Sequence, residues 1–388
     1  MKKIDGTELT ARLTALAQKG IDEALYSGIA GRVMQDGETV AEVLEGVADI
    51  DTGRPVTGDT VFRLASMTKP VTAAAVLSAQ DRGLLSLFDE VGNYLPAYND
   101  MWVGRKEVRE DGSIDFVPAE KACKKLRIHH LLSHVNGIGS AEMGYWALDR
   151  VKNEDRQTLE AITNFMGEHL YLDFQPDSSF GYSGVAAFDV AGRIIELVSG
   201  LKFGDYIQKY IFDPLNITDI TFEPTDEQWA RSMNMHTRDD RGRSVTDNSL
   251  GHSTFENFPI TYQSGGASLT GTLNAYSKFA EMLRLGGVDP VSGNRILSIG
   301  GVAQMQAIWP LPGTLNIGPF ESWGLGVRVI RDNHPTLPAG SFGWSGAYGT
   351  HFWIDPANGI TAVMLRNSRV DGGAGAAATI RFEKAVYA

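Results

Sequence analysis

Ala65-Ser66-Met67-Thr68-Lys69-Pro70 runs directly into Val71-Thr-Ala-Ala-Ala-Val-Leu-Ser-Ala79, and the reading of this stretch decides the fold. The second part carries no charge and is followed by Gln80-Asp81-Arg82 and Gly83, a helix stop, so it predicts a helix buried on nearly every side. On such a helix Ser66 and Lys69 share a face with their Cβ atoms about 5–6 Å apart, close enough for amine and hydroxyl to meet. Pro70 is tolerated in a first turn, where no intrahelical N–H is lost, although it biases Lys69 away from helical backbone. Ser66 then lies near the positive end of the helix dipole, which favours an alkoxide or a nearby oxyanion.

A serine hydroxyl becomes a useful nucleophile when a base takes its proton. A lysine amine serves as that base at neutral pH only if burial or neighbouring positive charge lowers its pKa from about 10.4. The same residues also describe a plain N-cap followed by a solvated lysine. That reading requires a charged helix face, whereas here the lysine leads into an apolar run.

Working outward, 388 residues with 43% hydrophobic and 21% charged side chains predict an ordinary globular protein of one large or two closely packed domains. No stretch has the roughly 18 apolar residues of a membrane span. Met1-Lys2-Lys3-Ile4-Asp5-Gly6 turns polar with no apolar continuation, which predicts no signal peptide and a cytoplasmic location. Lys plus Arg number 35 against 47 Asp plus Glu, a formal charge of −12, which argues against nucleic acid or an anionic membrane as partner. The single cysteine, Cys123, excludes an internal disulfide and, in its lysine-rich setting, reads as a structural surface residue.

Period and turn signals predict an amphipathic helix over 7–26, a hairpin over 28–49 turned at Asp36-Gly37, and a short strand at Val61–Leu64. Residues 99–125 read as a polar surface insertion. From 126 to 270 helical tracts dominate, at Leu159–Glu168, Val185–Val198 and Phe203–Ile211, with few strand signals. Strands return at Trp323–Ile330, Gly349–Asp355 and Ile360–Arg366, before a terminal helix over Gly375–Tyr387. The expected architecture is α/β of the α+β type: an antiparallel sheet flanked by helices, with a mainly helical region inserted. Residues 1–83 and 271–388 would form the sheet domain and 84–270 the helical one, with an active site in the cleft between them.

Two further motifs stand out. Gln175-Pro-Asp-Ser-Ser-Phe180-Gly-Tyr182-Ser183-Gly184 places a phenol just before a helix start. Phe342-Gly-Trp344-Ser345-Gly346-Ala347-Tyr348-Gly349 has glycines that let backbone approach a ligand. On residue type alone, Tyr182 is equally a core tyrosine, and Trp309, Trp323, Trp344 and Tyr348 are equally core aromatics. His130 and His134 share a helix face near His129, but the glutamate of His-Glu-x-x-His and a third ligand are both missing, so no metal is expected. No serine sits in Gly-x-Ser-x-Gly, the elbow of α/β-hydrolases.

In this order, Ser66-x-x-Lys69, Tyr182-Ser183-Gly184 and Trp344-Ser345-Gly346 resemble the serine β-lactamase and penicillin-binding-protein superfamily, above all its class C-like branch and the family VIII carboxylesterases. Phe62-Arg-Leu-Ala-Ser-Met-Thr-Lys69, Ile128-His-His-Leu-Leu-Ser-His134-Val-Asn-Gly137, Glu196–Gly200, Ile211–Leu215 and Gly265-Gly-Ala-Ser-Leu-Thr270 extend the likeness over most of the chain. The resemblance implies a β-lactamase/transpeptidase-like fold with Ser66 as acylated nucleophile and Lys69 and Tyr182 sharing its proton. It further implies an oxyanion hole from the N–H groups of Ser66 and Ala347, with Trp344, Ser345 and Gly346 beside the substrate and Trp344 lining its pocket. No metal or organic cofactor is implied, and the expected protein is a monomer or small homo-oligomer.

Two departures bear on the substrate. Gly184 stands where Tyr-x-Asn relatives carry an amide, and Trp344 where Lys-Thr-Gly or His-Thr-Gly relatives carry a cation, the partner of a β-lactam carboxylate. Both favour a neutral short-chain ester. The alternatives are a β-lactamase, a D-amino-acid amidase or an acyltransferase on the same scaffold, and, from another class, a sensor that acylates once without turnover.

Overall fold

Both ends of the chain meet in one sheet. The computed structural model describes residues 3–140, 142–148, 150–152, 157–255, 262–311, 313 and 317–388. Helix α1 (Gly6–Asp22) begins where the Asp5 carboxylate accepts from the N–H groups of Thr7 and Glu8, and it buries Leu9, Leu13 and Ala17. Strands β1 (Gly28–Gln35) and β2 (Glu38–Asp49) form the hairpin expected from Asp36-Gly37. Two short strands, β3 (Arg54–Pro55) and β4 (Phe62–Arg63), lead to a 3-10 turn at Ala65–Met67 and then to α2 (Thr68–Asp81).

Every residue of α2 from Thr68 to Ala79 is buried, as its uncharged sequence requires. Ser66 sits in the 3-10 turn, two residues before the α-helix proper begins at Thr68. Lys69 is helical although Pro70 follows it; Pro70 lies in the first turn and packing on all sides outweighs the local bias.

The stretch expected as an irregular surface insertion is in fact a hairpin, β5 (Trp102–Val108) with β6 (Ile114–Lys121). Both its faces are largely exposed, so no alternation marks it in the sequence. Helices α3 (Ile128–Leu132), α4 (Glu142–Leu148), α5 (Leu159–His169), α6 (Ala186–Ser199) and α7 (Phe203–Ile207) follow. Beyond β7 (Ile220–Thr221) and α8 (Asp226–Ala230) comes a second unforeseen hairpin, β8 (Met235–Arg238) with β9 (Ser244–Asp247). Strand β10 (Thr270–Gly271) lies between β4 and β7.

Helices α9 (Leu273–Arg284) and α10 (Ile299–Gln306) precede the late strands. The single strand expected over 323–330 is two, β11 (Glu321–Trp323) and β12 (Arg328–Ile330), because the chain reverses at Gly324–Val327 with Gly326 at φ 73°. Strands β13 (Phe342–Ser345), β14 (His351–Asp355) and β15 (Ile360–Leu365) and helix α11 (Ala377–Tyr387) complete the chain.

Among the described residues eight strands form one antiparallel sheet in the order β11-β12-β13-β14-β15-β1-β2-β3, with Ala30 of β1 opposite Leu365 of β15. Helices α1 and α11 cover one face through Leu9, Leu13, Val33, Trp353, Met364 and Phe382. The other face, with Phe342, Trp344, Phe352 and Val363, joins the larger core that contains α2, α6 and α9. No helix among the described residues is long and apolar enough to cross a membrane.

Candidate active site

Ser66 is half-buried between two buried neighbours, Ala65 and Met67. Ala65 adopts φ 47°, a left-handed conformation that costs a β-carbon residue roughly 1–2 kcal/mol and so must be held in place. The bonds that hold it run outward on both sides. Leu64 N–H donates to Leu269 O (2.9 Å), Thr350 Oγ1 donates to Leu64 O (2.9 Å), and Tyr276 Oη donates to Met67 O (2.9 Å). Gly346 lies directly against this segment: a β-carbon on it would stand 2.3 Å from Leu64 O and 2.2 Å from Thr350 Oγ1. Glycine is therefore what lets the turn carrying Ala347, which is exposed, approach the serine.

Lys69 is wholly buried, and its Nζ lies 2.6 Å from Gly184 O, 2.9 Å from Gly266 O and 3.1 Å from Ser66 Oγ. The two carbonyls accept only protons, so they engage two N–H bonds and leave the remaining position of the nitrogen aimed at Ser66. In the ammonium form that position is an N–H; in the free amine it is the lone pair. One geometry thus serves the lysine before and after it takes the serine proton. The faces of Tyr182 and Phe188, with centroids 4.9 and 5.5 Å from Nζ, add cation–π stabilisation to the charged form.

Tyr182 is half-buried, and its Oη accepts from the Trp344 indole N–H at 3.0 Å. Its ring lies 4.6 Å from His134, 5.3 Å from Trp344 and 5.9 Å from Trp323. His134 pins the tyrosine from both sides: Nδ1 accepts from Ser183 N–H (3.1 Å) and its carbonyl accepts from Gly181 N–H (2.9 Å). Complete burial, then the charge of Lys69, hold the His134 imidazole well below its ordinary pKa, so it stays neutral, with its proton on Nε2.

The other histidines of that motif have separate partners. His129 stacks on Trp309, while His130 Nδ1 accepts from Arg127 N–H and its Nε2 faces Asp177 at 3.3 Å. Among the described residues no three His, Cys, Asp or Glu side chains gather as a metal-ligand set.

Ser66, Lys69, Tyr182 and Trp344 are brought together, and Gly346 and Ala347 border them. The Ser345 side chain is not part of this group, contrary to expectation. Adjacent residues of a strand face opposite ways, so with Trp344 turned to Tyr182, Ser345 points to the α11 face. There its Oγ bonds His351 Nδ1 (2.8 Å), whose Nε2 lies 3.2 Å from Glu383. This buried Ser-His-Glu array stands on the far side of the sheet from Lys69.

Trp323, named above as a core aromatic, is wholly buried, with its indole N–H donating to Leu132 O and its ring meeting Trp344 edge-on; sequence reasoning missed Asp189, wholly buried in α6. The signal for Asp189 was present: one acid within Ala186-Ala-Phe-Asp-Val-Ala191, where an exposed position would have polar neighbours.

A Ser-x-x-Lys pair at the foot of a buried helix, beside an antiparallel sheet assembled from both chain ends, defines the β-lactamase/transpeptidase-like arrangement. The chain belongs to the Beta-lactamase family, which it matches over residues 13–385. It is 29% identical to Esterase EstB of Burkholderia gladioli, over 99% of this chain and 97% of that one. Among solved structures it superposes on "EstCE1, a hydrolase with promiscuous acyltransferase activity", with TM-score 0.80 and 24% identity over the whole of both chains. A family VIII carboxylesterase aligns with TM-score 0.74 and 21% identity over 98% of this chain and 97% of that one.

Proposed function

We propose that this protein is a serine hydrolase that cleaves short-chain carboxylic esters through an acyl-enzyme on Ser66. The observation that carries the proposal is Lys69 Nζ, fixed by two backbone carbonyls with its third contact on Ser66 Oγ. Ser66 Oγ bonds the ester carbonyl carbon as its proton passes to Lys69, and the N–H groups of Ser66 and Ala347 take the developing oxyanion, each such donor being worth about 2.7–4 kcal/mol of barrier. Collapse breaks the ester C–O bond, and the proton reaches the departing alkoxide through Tyr182. Tyr182 and the regenerated Lys69 amine then take a proton from water as it adds to the acyl carbon, and that proton returns to Ser66 Oγ as the serine–acyl bond breaks and the acid leaves. The similarity to Esterase EstB and to a family VIII carboxylesterase supports ester cleavage as the reaction.

The substrate reading rests on charge. Trp344 gives Tyr182 a neutral donor where a cation would bind a carboxylate, and Gly184 has no side chain to supply the amide that Tyr-x-Asn relatives carry at that position. A neutral ester fits such a site better than a β-lactam or a D-amino-acid amide. We further propose a division into a sheet domain (1–83 and 271–388) and a helical domain (84–270) with the cleft between them, a cytoplasmic location, and a monomer or small homo-oligomer.

The test is kcat/KM on p-nitrophenyl butyrate and on a chromogenic cephalosporin in parallel, with Ser66→Ala as blank. Ser66-dependent ester turnover with little lactam hydrolysis is expected; dominant cephalosporin turnover would replace the proposal with a β-lactamase. Acyl transfer is the second reading, supported by the promiscuous acyltransferase activity of EstCE1. Product analysis with added alcohol separates it from hydrolysis, and an acyl adduct that persists in intact-mass spectra would overturn turnover itself.

A further inference from the structure

Asp189 lies directly behind Lys69. It is the fourth residue of α6 and is wholly buried, next to the apolar Phe188, Val190 and Ala191. Its Oδ1 accepts from Ser264 Oγ (2.7 Å) and Gly266 N–H (3.4 Å), and its Oδ2 accepts from Tyr262 Oη (2.7 Å). All three partners donate, which is the environment of an ionised carboxylate. Such a charge is costly in an apolar interior; the three donors offset that cost, and the Lys69 ammonium adds to them once the lysine holds the serine proton. Gly266 joins the two residues: its N–H donates to Asp189 and its carbonyl accepts from Lys69 Nζ at 2.9 Å. A β-carbon on Gly266 would stand 2.7 Å from Val185 Cα, so a larger residue could not take this place unmoved.

We propose that Asp189 is a positioning residue, the third member of a Ser66–Lys69–Asp189 array that holds Gly266, aims the lysine amine at the serine and stabilises the ammonium formed when Lys69 takes the serine proton. The logic is that of a nucleophile, a base and a group orienting the base, with Gly266 as the connection. The inference rests on the reading of Ser66 as nucleophile given above.

The titratable groups that act on Asp189 are Lys69 of α2, Tyr262 of the loop before β10, and Tyr98, which is kept neutral by burial. Burial lifts the Asp189 carboxyl to about 6, against the pull of its three donors and Lys69. Activity should therefore fall as pH drops through that value, because the carboxylate becomes neutral and stops opposing the ammonium charge.

The test is the pH profile of kcat/KM for Asp189→Asn on p-nitrophenyl butyrate. Expected are a kcat lowered about 10- to 100-fold, the size of one lost charge-assisted hydrogen bond, a KM within about twofold of wild type, and a displaced acid limb. A wild-type kcat with an unmoved limb overturns the proposal. If Asp189→Asn does not fold, Tyr262→Phe decides: it removes one donor from the carboxylate and must shift the acid limb to higher pH, and an unmoved limb overturns the proposal equally. Ser66→Ala separates the two layers. Activity that survives it removes the nucleophile reading, whereas a dead Ser66→Ala beside a fully active Asp189→Asn removes only the role of Asp189.

Discussion

At Tyr182 the donor facing the phenol oxygen is an indole N–H, and a neutral donor stabilises charge on that oxygen less than a cation would. Trp344→Phe keeps an aromatic ring at this buried position but removes the indole N–H together with part of the bicyclic ring. We expect kcat on p-nitrophenyl butyrate to fall about tenfold with KM little changed, and an unaltered kcat would show the bond to be idle. Tyr182→Phe should lose most activity while its melting temperature stays near wild type; near-normal turnover would remove Tyr182 from the reaction. Ser66 and Lys69 could be paired from the sequence because three positions on one helix separate them; Tyr182 could be set beside them only through the family resemblance. The setting of Asp189 marks it as a buried acid but not its place beside Lys69, because its partners come from residues 262–266 and nothing local ties an acid in a helix to a lysine more than a hundred positions earlier. The direction of Ser345 could have been read from strand parity against Trp344.

At the scale of elements, the turn after β13 and the turn before α6 are both glycine-bearing, yet they differ in the space around them. Gly346→Ala must move backbone, since its β-carbon would meet Leu64 O and Thr350 Oγ1 at 2.3 and 2.2 Å; we expect a loss of roughly 1–3 kcal/mol in stability and a larger loss of activity. Gly184→Ala meets nothing within 4 Å and should melt like wild type. Thermal melts and kcat/KM on the pair check both, and equal behaviour would contradict the close approach at Gly346. Helix α2 was evident in the sequence because an uncharged run has only one place to go. The hairpins β5–β6 and β8–β9 were not, since β5 and β6 are largely exposed on both faces, while β8 buries the adjacent Met235 and His236 and β9 is half-buried throughout, so none alternates. The β11–β12 reversal was masked because its turn residues, Gly324-Leu-Gly-Val327, are as apolar as the strands they join.

For the whole molecule, buried ionisable groups set the response to acid. Burial, then neighbouring positive charge, lowers His129 and His236 to about 4, so between about 6.5 and 4 the unfolded chain binds more protons and the fold loses stability as pH falls. Asp189, raised to about 6, works in the opposite sense over that window, but it is one group against six lowered histidines, since burial also lowers His130, His134, His334 and His351. Glu383 is held at about 2, against burial, by His351 and Arg328, and its contribution disappears below the ordinary carboxylate range as pH falls towards 2. Melting temperature should therefore decline from pH 6.5 to 4 and again below 4; a flat curve from 7 to 4 would refute this balance.

The pairing of β1 with β15 also bears on how the chain is made. On the ribosome Ala30 is synthesised long before Leu365, its cross-strand neighbour, an interval of roughly 20–70 s at ordinary elongation rates. Throughout it β1 presents an unpaired edge, and Ser66 is tethered to Lys69 without Trp344 or the turn at Ala347. The nascent polypeptide is thus both chemically silent and prone to pair with the wrong strand, and its rescue from aggregation depends on how quickly the last thirty or so residues emerge.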